Sequence, residues 1–539
     1  MTPVVRFYWL VVLLALPASL FWLLESSAWQ LTLTALSASP LALSTTILLL
    51  IFAATGVYDL FYSDSNLRKN FPVFANLRYL LESIRPEIRQ YFIASNLEEA
   101  PFNREARDLI YRRAKKLNDT LPFGTEQNIT APGYLTTFHS IKACSVPEEK
   151  KRVLIGNSQC KQPYSASILN ISGMSFGALS GNAIRALNLA AARGGFFQNT
   201  GEGSISSHHV IHGGDLVWQI GTGYFGCRNP DGSFNDEAFA ATACTAQVKM
   251  IEVKLSQGAK PSHGGVLPGV KVTPEIARIR LVEVGKTVES PACHPAFDNP
   301  LGMMQFLARL RQLSKGKPVG FKLCIGKKSE FMSIVKAMLE SGIFPDFITI
   351  DGAEGGTGAA PVEFSNRVGM PCLEATYFVH QVLTGAGIRD QIKIISAGKT
   401  ATGFDILCKI ALGADAVNSA RAMMLALGCI QSKSCNTNKC PTGVATQDPV
   451  RAKALNVETR AQRVVNLHEG TIHAFFDLCG ALGYNDPELL LPSDLHQRCE
   501  NGFRNFDQIY TPLSSGQLLT TSIPDIYLKD WQSASSSSF

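Results

Sequence analysis

Three cysteines near the carboxyl end of the chain have the spacing of metal ligands. Cys429, Cys435 and Cys440 form a C-x5-C-x4-C array, closed by Pro441, in the stretch GCIQSKSCNTNKCPTGVATQ. Thiolates are soft ligands that bind iron or zinc, but a zinc site normally shows C-x2-C pairs and a fourth ligand, and neither is present nearby. The spacing favours an iron–sulfur cluster held by three thiolates, which would carry electrons. Three unligated thiols in a loop are the alternative.

Two lysines stand at the ends of apolar runs, Lys254 in VKMIEVKL and Lys322 in VGFKLCI. An unpaired ammonium group is costly to bury, so we expect each lysine to face an anion. In a flavin enzyme, a lysine beside the N1/O2 edge stabilises the anionic reduced ring. Glu202 and Lys260 are further charged groups on neighbouring loops.

Two later segments, SAGKTATG and NSAR, resemble phosphate-binding turns. Each follows an apolar run, and one brings Lys399 while the other brings Arg421. Late barrel loops and helix starts offer backbone N–H groups to an anion in this way. A phosphate-bearing redox cofactor fits beside a cluster, and FMN is the simplest choice; turns that only connect strands are the alternative. The predicted phosphate residues are Ser396, Gly398, Lys399, Ser419, Ala420 and Arg421.

The elements that must position these residues alternate between short apolar strands and helices from about residue 150 onward. Such alternation predicts an α/β fold with a parallel sheet. Because the alternation continues over about 300 residues, we predict a closed (β/α)8 TIM barrel over residues 151–450. In a barrel, the chemistry lies at the carboxyl ends of the strands. The remaining cofactor-binding residues predicted there are Ser172, Gly173, Met174, Ser175, Thr200, Gly355 and Gly356.

The amino end carries two apolar runs. Residues 7–24 and 26–58 contain no charged residue, and each run can supply the ~20 residues that cross a bilayer. A signal peptide cleaved near Ala38-Ser39-Pro40 is the alternative, but the second run favours a transmembrane helical hairpin over residues 1–60.

Lysine and arginine predict the orientation of this hairpin. The connection from Glu25 to Gln30 has none, whereas Arg68, Lys69 and Arg78 follow the second run. The positive-inside rule places the chain in the inner (cytoplasmic) membrane, multi-pass, with the bulk of the chain in the cytoplasm. Trp9, Trp22 and Trp29 are placed for membrane interfaces. Membrane lipid is therefore a predicted partner.

The segments flanking the barrel carry less pattern. Residues 61–150 show apolar spacings of three and four and predict a helical pre-barrel segment. Residues 451–539 predict a helical extension and a disordered serine-rich tail. The net charge of +6, from 50 Lys+Arg and 44 Asp+Glu, is too small and dispersed to indicate nucleic acid. Thirteen cysteines in a chain of 539 residues indicate a reducing compartment.

Five motifs together resemble the flavin-binding synthase domain of glutamate synthase, and more closely its stand-alone, membrane-anchored relatives. They are ISGMSFGALS, NTGEG, KLSQGAKPSHGGVLPGVKV, DGAEGGTGAAP and the cysteine loop, within residues 60 to 480. The resemblance implies a barrel that binds FMN and a 3Fe-4S cluster on the three cysteines. It also implies reductive amination of 2-oxoglutarate to glutamate through 2-iminoglutarate, with electrons from ferredoxin or a membrane carrier.

Carried over by position, the resemblance implies roles for four residues. Lys254 would contact the flavin, Lys260 and Arg280 would bind the oxoacid carboxylates, and Glu202 would lie near the reacting centre. Val266 stands where the family has glutamine, which makes the pocket more apolar.

The amino end bears on the nitrogen source. Met1-Thr2 and an apolar run occupy the position of the family's glutamine-hydrolysing cysteine, so we expect ammonia to arrive free or from a separate subunit, or the substrate to be another small imino or oxo acid. An electron-transfer or sensory membrane flavoprotein without turnover is the alternative function.

Overall fold

The computed structural model describes residues 1–28 and 40–539, which fall into two compact units, Met1–Ser95 and Asn96–Phe539. The predicted domain boundaries at residues 60, 150 and 450 stay predictions. Trp29 and Gln30, the last two residues of the connection from Glu25 to Gln30, lie outside the described residues.

The smaller unit is helical. Two continuous helices, Pro3–Glu25 and Pro40–Tyr62, are long and apolar enough by length and composition to cross a membrane. They pack antiparallel, because Tyr8 Oη donates to the carbonyl oxygen of Ala53 (2.7 Å) while Thr46 Oγ1 donates to that of Ser19 (3.2 Å). Gly56 permits this approach, since a Cβ there would overlap the Tyr8 ring. Two further helices complete this unit: Asn66–Asn70, and Phe74–Ile88 with its π-helical continuation Arg89–Ile93.

The larger unit is a closed barrel of eight parallel strands, as predicted. The strands are rich in Val and Ile and are buried on both faces, which is typical of parallel sheets. Pairing of Val417 with Leu169 and of Asn418 with Asn170 closes the barrel. In chain order the strands are β1 (Leu169–Ile171), β2 (Gln198–Asn199), β3 (Leu216–Ile220), β4 (Val248–Lys254), β5 (Val319–Leu323), β6 (Phe347–Asp351), β7 (Lys393–Ala397) and β8 (Ala416–Ser419).

Helices surround the barrel and begin at recognisable caps. In the helix after β1, Ser180 accepts a hydrogen bond from the N–H of Ala183, and Gly195 ends the helix with a φ of 66°. In chain order the helices of the larger unit are Arg104–Ala114, Gly181–Gly194, Ser207–Val210, Asp236–Ala243, Pro274–Arg280, Pro300–Leu313, Lys328–Ser341, Val362–Arg367, Cys372–Gly385, Gly403–Ala411, Arg421–Leu427, Pro449–Lys453, Val457–Ala481, Phe506–Ile509 and Asp525–Ser533.

Short strands close the bottom and flank the barrel. The hairpin Arg152–Ile155 and Tyr164–Ser167 places Ile155, Tyr164 and Ala166 against an inward-facing apolar layer that includes Met250 and Phe347. Strand Leu135–Thr137 pairs with Leu495–Cys499, which pairs with Gly502–Asn505, and Val266–Leu267 pairs with Val288–Glu289. The bottom is therefore packed, and chemistry is confined to the opposite end.

Two sequence predictions about the flanks need correction. The pre-barrel segment is helical only as far as Ala114, and residues 115–147 form turns and one strand. The carboxyl tail is ordered: Asp525–Ser533 is a helix that buries Trp531 against the Lys328–Ser341 helix. The serine-rich end joins this packing, since Ser535 N–H donates to Ser333 Oγ (2.9 Å).

Candidate active site

The carboxyl ends of β4, β5 and β6 bring charged side chains into the barrel. Alternate residues of a strand face the same side, so Glu252 and Lys254 both point inward from β4, with Lys322 beside them on β5. Lys254 Nζ lies 2.8 Å from Glu202 Oε1, and Lys322 Nζ lies 3.5 Å from Asp351 Oδ2. Each buried lysine thus faces an anion, as its burial required.

Glu202 occupies a tight slot at the barrel mouth. A Cβ on Gly221 or on Gly265 would approach its carboxylate oxygens to 2.5 Å, so both glycines are required for this position. Burial raises the pKa of Glu202, but the Lys254 ammonium opposes this with help from Arg280 and Lys260, and the net pKa is lowered. Glu202 is therefore ionised at neutral pH.

Lys260 and Arg280 are the other two cations around Glu202, and both are nearly inaccessible to solvent. Lys260 Nζ donates to the carbonyl oxygen of Gly264, and burial lowers the pKa of this lysine to about 8. Arg280 Nη2 donates to the carbonyl oxygen of Phe176 (2.9 Å), and burial lowers its pKa to about 10. The mouth therefore carries more positive than negative charge and suits an anionic substrate.

Two glycines, which have no side chains, leave the space that Arg280 occupies. A Cβ on Gly203 would lie 2.5 Å from Arg280 Nη2, and one on Gly177 would lie 2.9 Å from it. Arg280 Nε is buried without a hydrogen-bond partner among the described residues. The guanidinium thus keeps a donor available for an acceptor from outside the protein.

A polar network lies below these charges inside the barrel. Glu252 is 1% exposed and accepts hydrogen bonds from Asn199 Nδ2 (2.8 Å), Gln219 Nε2 (2.6 Å) and Thr349 Oγ1 (2.6 Å). A Cβ on Gly173 would lie 3.0 Å from Asn199 and Gln219. The predicted glycine of the first loop therefore lies directly against this network, where it leaves room for a planar group.

The predicted phosphate residues lie on consecutive loops, but they differ in orientation. Among the described residues, neither Lys399 nor Arg421 forms an ion pair with a carboxylate. Arg421 Nη2 donates to the carbonyl oxygen of Glu354, and a Cβ on Gly356 would lie 3.2 Å from its Nη1. Asp351 and Glu354 act on the Arg421 charge from outside ion-pair distance. Two cations on adjacent loops are suited to a phosphate group.

Some predicted cofactor side chains point elsewhere. Ser396 Oγ shares a hydrogen bond with Thr376 Oγ1 (2.8 Å) on the helix outside the barrel, Ser419 Oγ donates to the carbonyl oxygen of Thr400 (3.1 Å), and Thr200 Oγ1 accepts from the N–H of Gln219 (3.1 Å). These hydroxyl groups hold the loops together. Their predicted contact with a cofactor stays a prediction.

The three cysteines are brought together in one loop. Cys440 is buried, Cys429 and Cys435 are partly buried, and the three are close enough to influence one another's pKa. A Cβ on Gly358 would lie 3.2 Å from Cys435 Cβ, so the loop after β6 touches the cysteine loop. No group of three or more His, Cys, Asp or Glu side chains among the described residues is arranged around a single metal ion. A cluster spreads its ligands over several irons, so the 3Fe-4S site stays a prediction.

Comparison with known proteins decides the family. Residues 127–485 match the conserved region in glutamate synthase. The chain is 36% identical to the glutamate synthase large subunit-like protein YerD of Bacillus subtilis over 494 residues, which is 84% of this chain and 94% of the relative. The chain belongs to the glutamate synthase family.

Other members of the glutamate synthase family match over a shorter length. The archaeal glutamate synthase [NADPH] of Methanocaldococcus jannaschii is 36% identical over 321 residues, 59% of this chain and 60% of that protein. The chain thus spans less than two thirds of such relatives. Among solved structures, a flavocytochrome b2 mutant covers 84% of this chain and 96% of its own at 13% identity, with a TM-score of 0.42.

Against the family pattern, Val266 occupies a sensitive place. It follows Gly265, which packs on the Glu202 carboxylate, and it pairs with Glu289 in a two-residue strand. Val266 is therefore next in sequence to a glycine of the Glu202 slot, at the position where the family resemblance implies a glutamine.

Sequence reasoning missed several site residues. Glu252 could have been found, because it lies two residues before Lys254 in a strand and must face the same way. His294 carried no signal: its Nε2 bonds the carbonyl oxygen of Lys254 (2.9 Å) and its Nδ1 bonds Tyr224 Oη (3.2 Å). Burial lowers the pKa of His294 to about 4, so it is neutral.

Proposed function

We propose that the protein is an oxidoreductase of the glutamate synthase type that binds FMN and a 3Fe-4S cluster. Its substrate is 2-iminoglutarate, formed from 2-oxoglutarate and ammonia, or a related small imino or oxo acid. The observation that carries this proposal is the barrel mouth, where one ionised carboxylate, Glu202, is surrounded by Lys254, Lys260 and Arg280.

The residues present fit the two cofactors. Glycines at the strand ends leave space against the Glu252 network. Lys399 and Arg421 form no ion pair among the described residues and could bind a phosphate. Three thiols lie in one loop. FMN, when bound, would supply a hydride equivalent, and the cluster would supply electrons singly. Lys254, Lys322, Lys399 and Arg421 would hold the flavin, and Cys429, Cys435 and Cys440 the cluster.

Glu202 and the side chains around it have different roles toward the substrate. Lys260 and Arg280 bind the two carboxylates of the oxoacid and fix its orientation. The Glu202 carboxylate stabilises a proton on the imine nitrogen, because a protonated imine is a cation and accepts hydride more readily. Burial of all these groups excludes water and so protects the imine from hydrolysis.

We further propose that the apolar hairpin anchors the enzyme in the inner membrane, with the barrel in the cytoplasm. Ferredoxin or a membrane carrier would donate electrons, and ammonia would come free or from a separate subunit. NADPH, which is named in the relatives' titles, is a further donor to test. Retention in washed membranes after alkaline extraction tests the anchor, and release into the supernatant would contradict it.

The test of the activity is spectroscopic. The purified protein should be yellow-brown, and anaerobic dithionite should bleach its flavin. Adding 2-oxoglutarate and ammonia should then reoxidise the flavin, and Lys260→Gln should abolish this while exposed Lys327→Met should not. If the flavin stays reduced with every small oxo or imino acid that is added, the proposed reductase activity is contradicted.

Two substitutions test the cofactor assignments. Lys254→Ala should slow flavin reduction without unfolding the barrel, and an unchanged rate would remove its assigned role. Cys435→Ser should abolish the visible absorbance of the cluster, whereas Cys293→Ser, at an exposed thiol, should not.

A second candidate function is an electron-transfer or sensory flavoprotein that keeps both cofactors without turnover. Val266 favours it, since the apolar side chain removes a polar substrate contact from the mouth. Reversible reduction of flavin and cluster without reoxidation by any oxo acid would select this function. Restoring turnover by Val266→Gln would identify the residue responsible.

A further inference from the structure

Phe102 is buried in the larger unit although it belongs to no helix or strand. It precedes the Arg104–Ala114 helix and is 1% exposed. Its ring faces two cations from the barrel: Lys399 Nζ lies 5.6 Å from the ring centre and Arg421 Cζ lies 5.3 Å from it. One aromatic side chain from outside the barrel therefore packs against both predicted phosphate-binding cations on one side.

The peptide of Phe102 is fixed by the cysteine loop. Its N–H donates to Gln431 Oε1 (3.1 Å), and its carbonyl oxygen accepts from Gln431 Nε2 (2.9 Å). The Gln431 amide thus satisfies both backbone groups of Phe102, as a neighbouring strand would. Since Gln431 lies two residues after Cys429, the cover is attached directly to the cysteine loop.

The helix that follows holds this arrangement in place. Asn103 caps the helix by accepting from the N–H of Ala106 (2.9 Å). Tyr111 Oη then donates to the carbonyl oxygen of Cys429 (2.7 Å), and Ile110 is completely buried beneath the helix. Phe102 is therefore held from two sides, by the cysteine loop and by its own helix.

An aromatic ring covers a cation without neutralising it. The face of the ring attracts Lys399 and Arg421, but it accepts no strong hydrogen bond from them and leaves their charge for an anion on the opposite side. Two such cations near each other repel one another unless a compact anion, such as a phosphate monoester, lies between them. A group that extends from a bound phosphate toward Phe102 would meet the apolar face of the ring.

We propose that Phe102 closes the phosphate end of the flavin site and makes it specific for a mononucleotide, so that FMN is accepted and FAD is excluded. This inference rests on the proposed function, in which Lys399 and Arg421 hold the flavin phosphate. It assigns Phe102, two residues before the Arg104–Ala114 helix, to cofactor selection. Phe102 acts by shape.

The full-length chain, stripped of flavin, tests this by titration with FMN and with FAD, followed by flavin fluorescence. The native chain should bind FMN in strong preference to FAD. Phe102→Ala should reduce that preference at least about tenfold, because it removes the ring that the adenylate extension would meet. Phe102→Leu, which keeps an apolar wall, should still exclude FAD.

Ile110→Ala is the matched control. It truncates a buried side chain in the Arg104–Ala114 helix, which follows Phe102, and this side chain touches neither cation. It should lower the melting temperature without changing the preference for FMN. If it changes the preference as much as Phe102→Ala does, the effect belongs to helix docking and the proposal fails. An unchanged preference in folded Phe102→Ala overturns the proposal outright.

Three further outcomes are informative. If Phe102→Ala does not fold, Gln431→Ala frees the Phe102 peptide while leaving the ring, and it should shift the preference in the same direction; no shift overturns the proposal. If the native chain binds neither flavin, the proposed function fails together with this inference. If the native chain binds FMN but the variants show the same preference for FMN as the native chain, the selection role of Phe102 fails and the proposed function stands.

Discussion

Lys260 shows how burial alters the chemistry of a single side chain. Its ammonium group is 1% exposed, and burial lowers its pKa to about 8 although Glu202 partly compensates. A lysine that binds a substrate carboxylate must be protonated. The proposed role therefore has a pH limit that an exposed lysine would not have.

We expect kcat/KM for the oxoacid to fall roughly tenfold per pH unit above about pH 8, as the charged fraction of Lys260 falls. Lys260→Arg stays charged and should remove this inflection, even at lower activity. Initial rates between pH 7 and 10 check this. If kcat/KM of the native protein does not change with pH, the role of Lys260 in carboxylate binding is contradicted.

Lys271 is a second buried lysine, beside the cysteine loop. It donates to the carbonyl oxygens of Ala178 (3.1 Å) and Ala445 (2.9 Å). Burial lowers its pKa, and the nearby thiols of Cys435 and Cys440 oppose this. A fixed positive charge beside a cluster favours its reduced form.

Lys271→Met should therefore make the reduction potential of the proposed cluster more negative. Lys439→Met, at an exposed position of the cysteine loop, should shift the potential much less, because water screens the Lys439 charge. Potentiometric titration followed by electron paramagnetic resonance measures both. Equal shifts in the two variants would show that loop charge in general, and not Lys271, sets the potential.

At the scale of elements, the carboxyl-terminal helix Asp525–Ser533 is part of the barrel's packing. Trp531 is 8% exposed, and Lys336 Nζ lies 5.0 Å from its ring centre while donating to the carbonyl oxygen of Ala534 (2.9 Å). Leu301 N–H also donates to the carbonyl oxygen of Ser536 (3.1 Å). These contacts join the tail to two barrel helices.

Trp531→Ala should lower the free energy of unfolding by about 3 kcal/mol, because it removes a large buried side chain. Ile526→Ala, in the same helix but 55% exposed, should cost less than about 0.5 kcal/mol. Urea unfolding followed by circular dichroism compares them. Equal, small losses would mean that the tail contributes nothing to the stability of the barrel.

At the scale of the whole molecule, buried histidines predict how the fold responds to acid. Burial lowers the pKa of His209 to about 3 and that of His294, His380 and His468 to about 4 each. In the unfolded chain these groups protonate near pH 6.5. Between these values the unfolded state binds more protons, so stability falls as the pH falls.

We expect the free energy of unfolding to fall below pH 6.5 by about 1.4 kcal/mol per pH unit for each buried histidine. His468→Gln should reduce this slope by one such increment, whereas exposed His473→Gln should not. Denaturant unfolding from pH 7 to 4.5 gives the slopes. Identical slopes in both variants and the native chain would refute the linkage.

Local patterns in the sequence determined the repeating elements and the chemistry at their ends. The βα alternation, the glycine-rich strand ends and the C-x5-C-x4-C spacing are contained within a few residues each, so they predicted the barrel and the candidate residues. The tail was misjudged because its stability comes from Trp531 contacts with distant helices.

Only the tertiary structure decided which groups meet. Glu202 pairs with Lys254 across 52 residues, and Gln431 fixes the Phe102 peptide across 329. No local pattern encodes such contacts, because they depend on closure of the barrel and docking of the pre-barrel helix. The same closure turned Ser396 away from the mouth and placed Glu252 under it. The sequence named the side chains that do chemistry, and folding determined their charges and partners, since burial and proximity exist only in the folded chain.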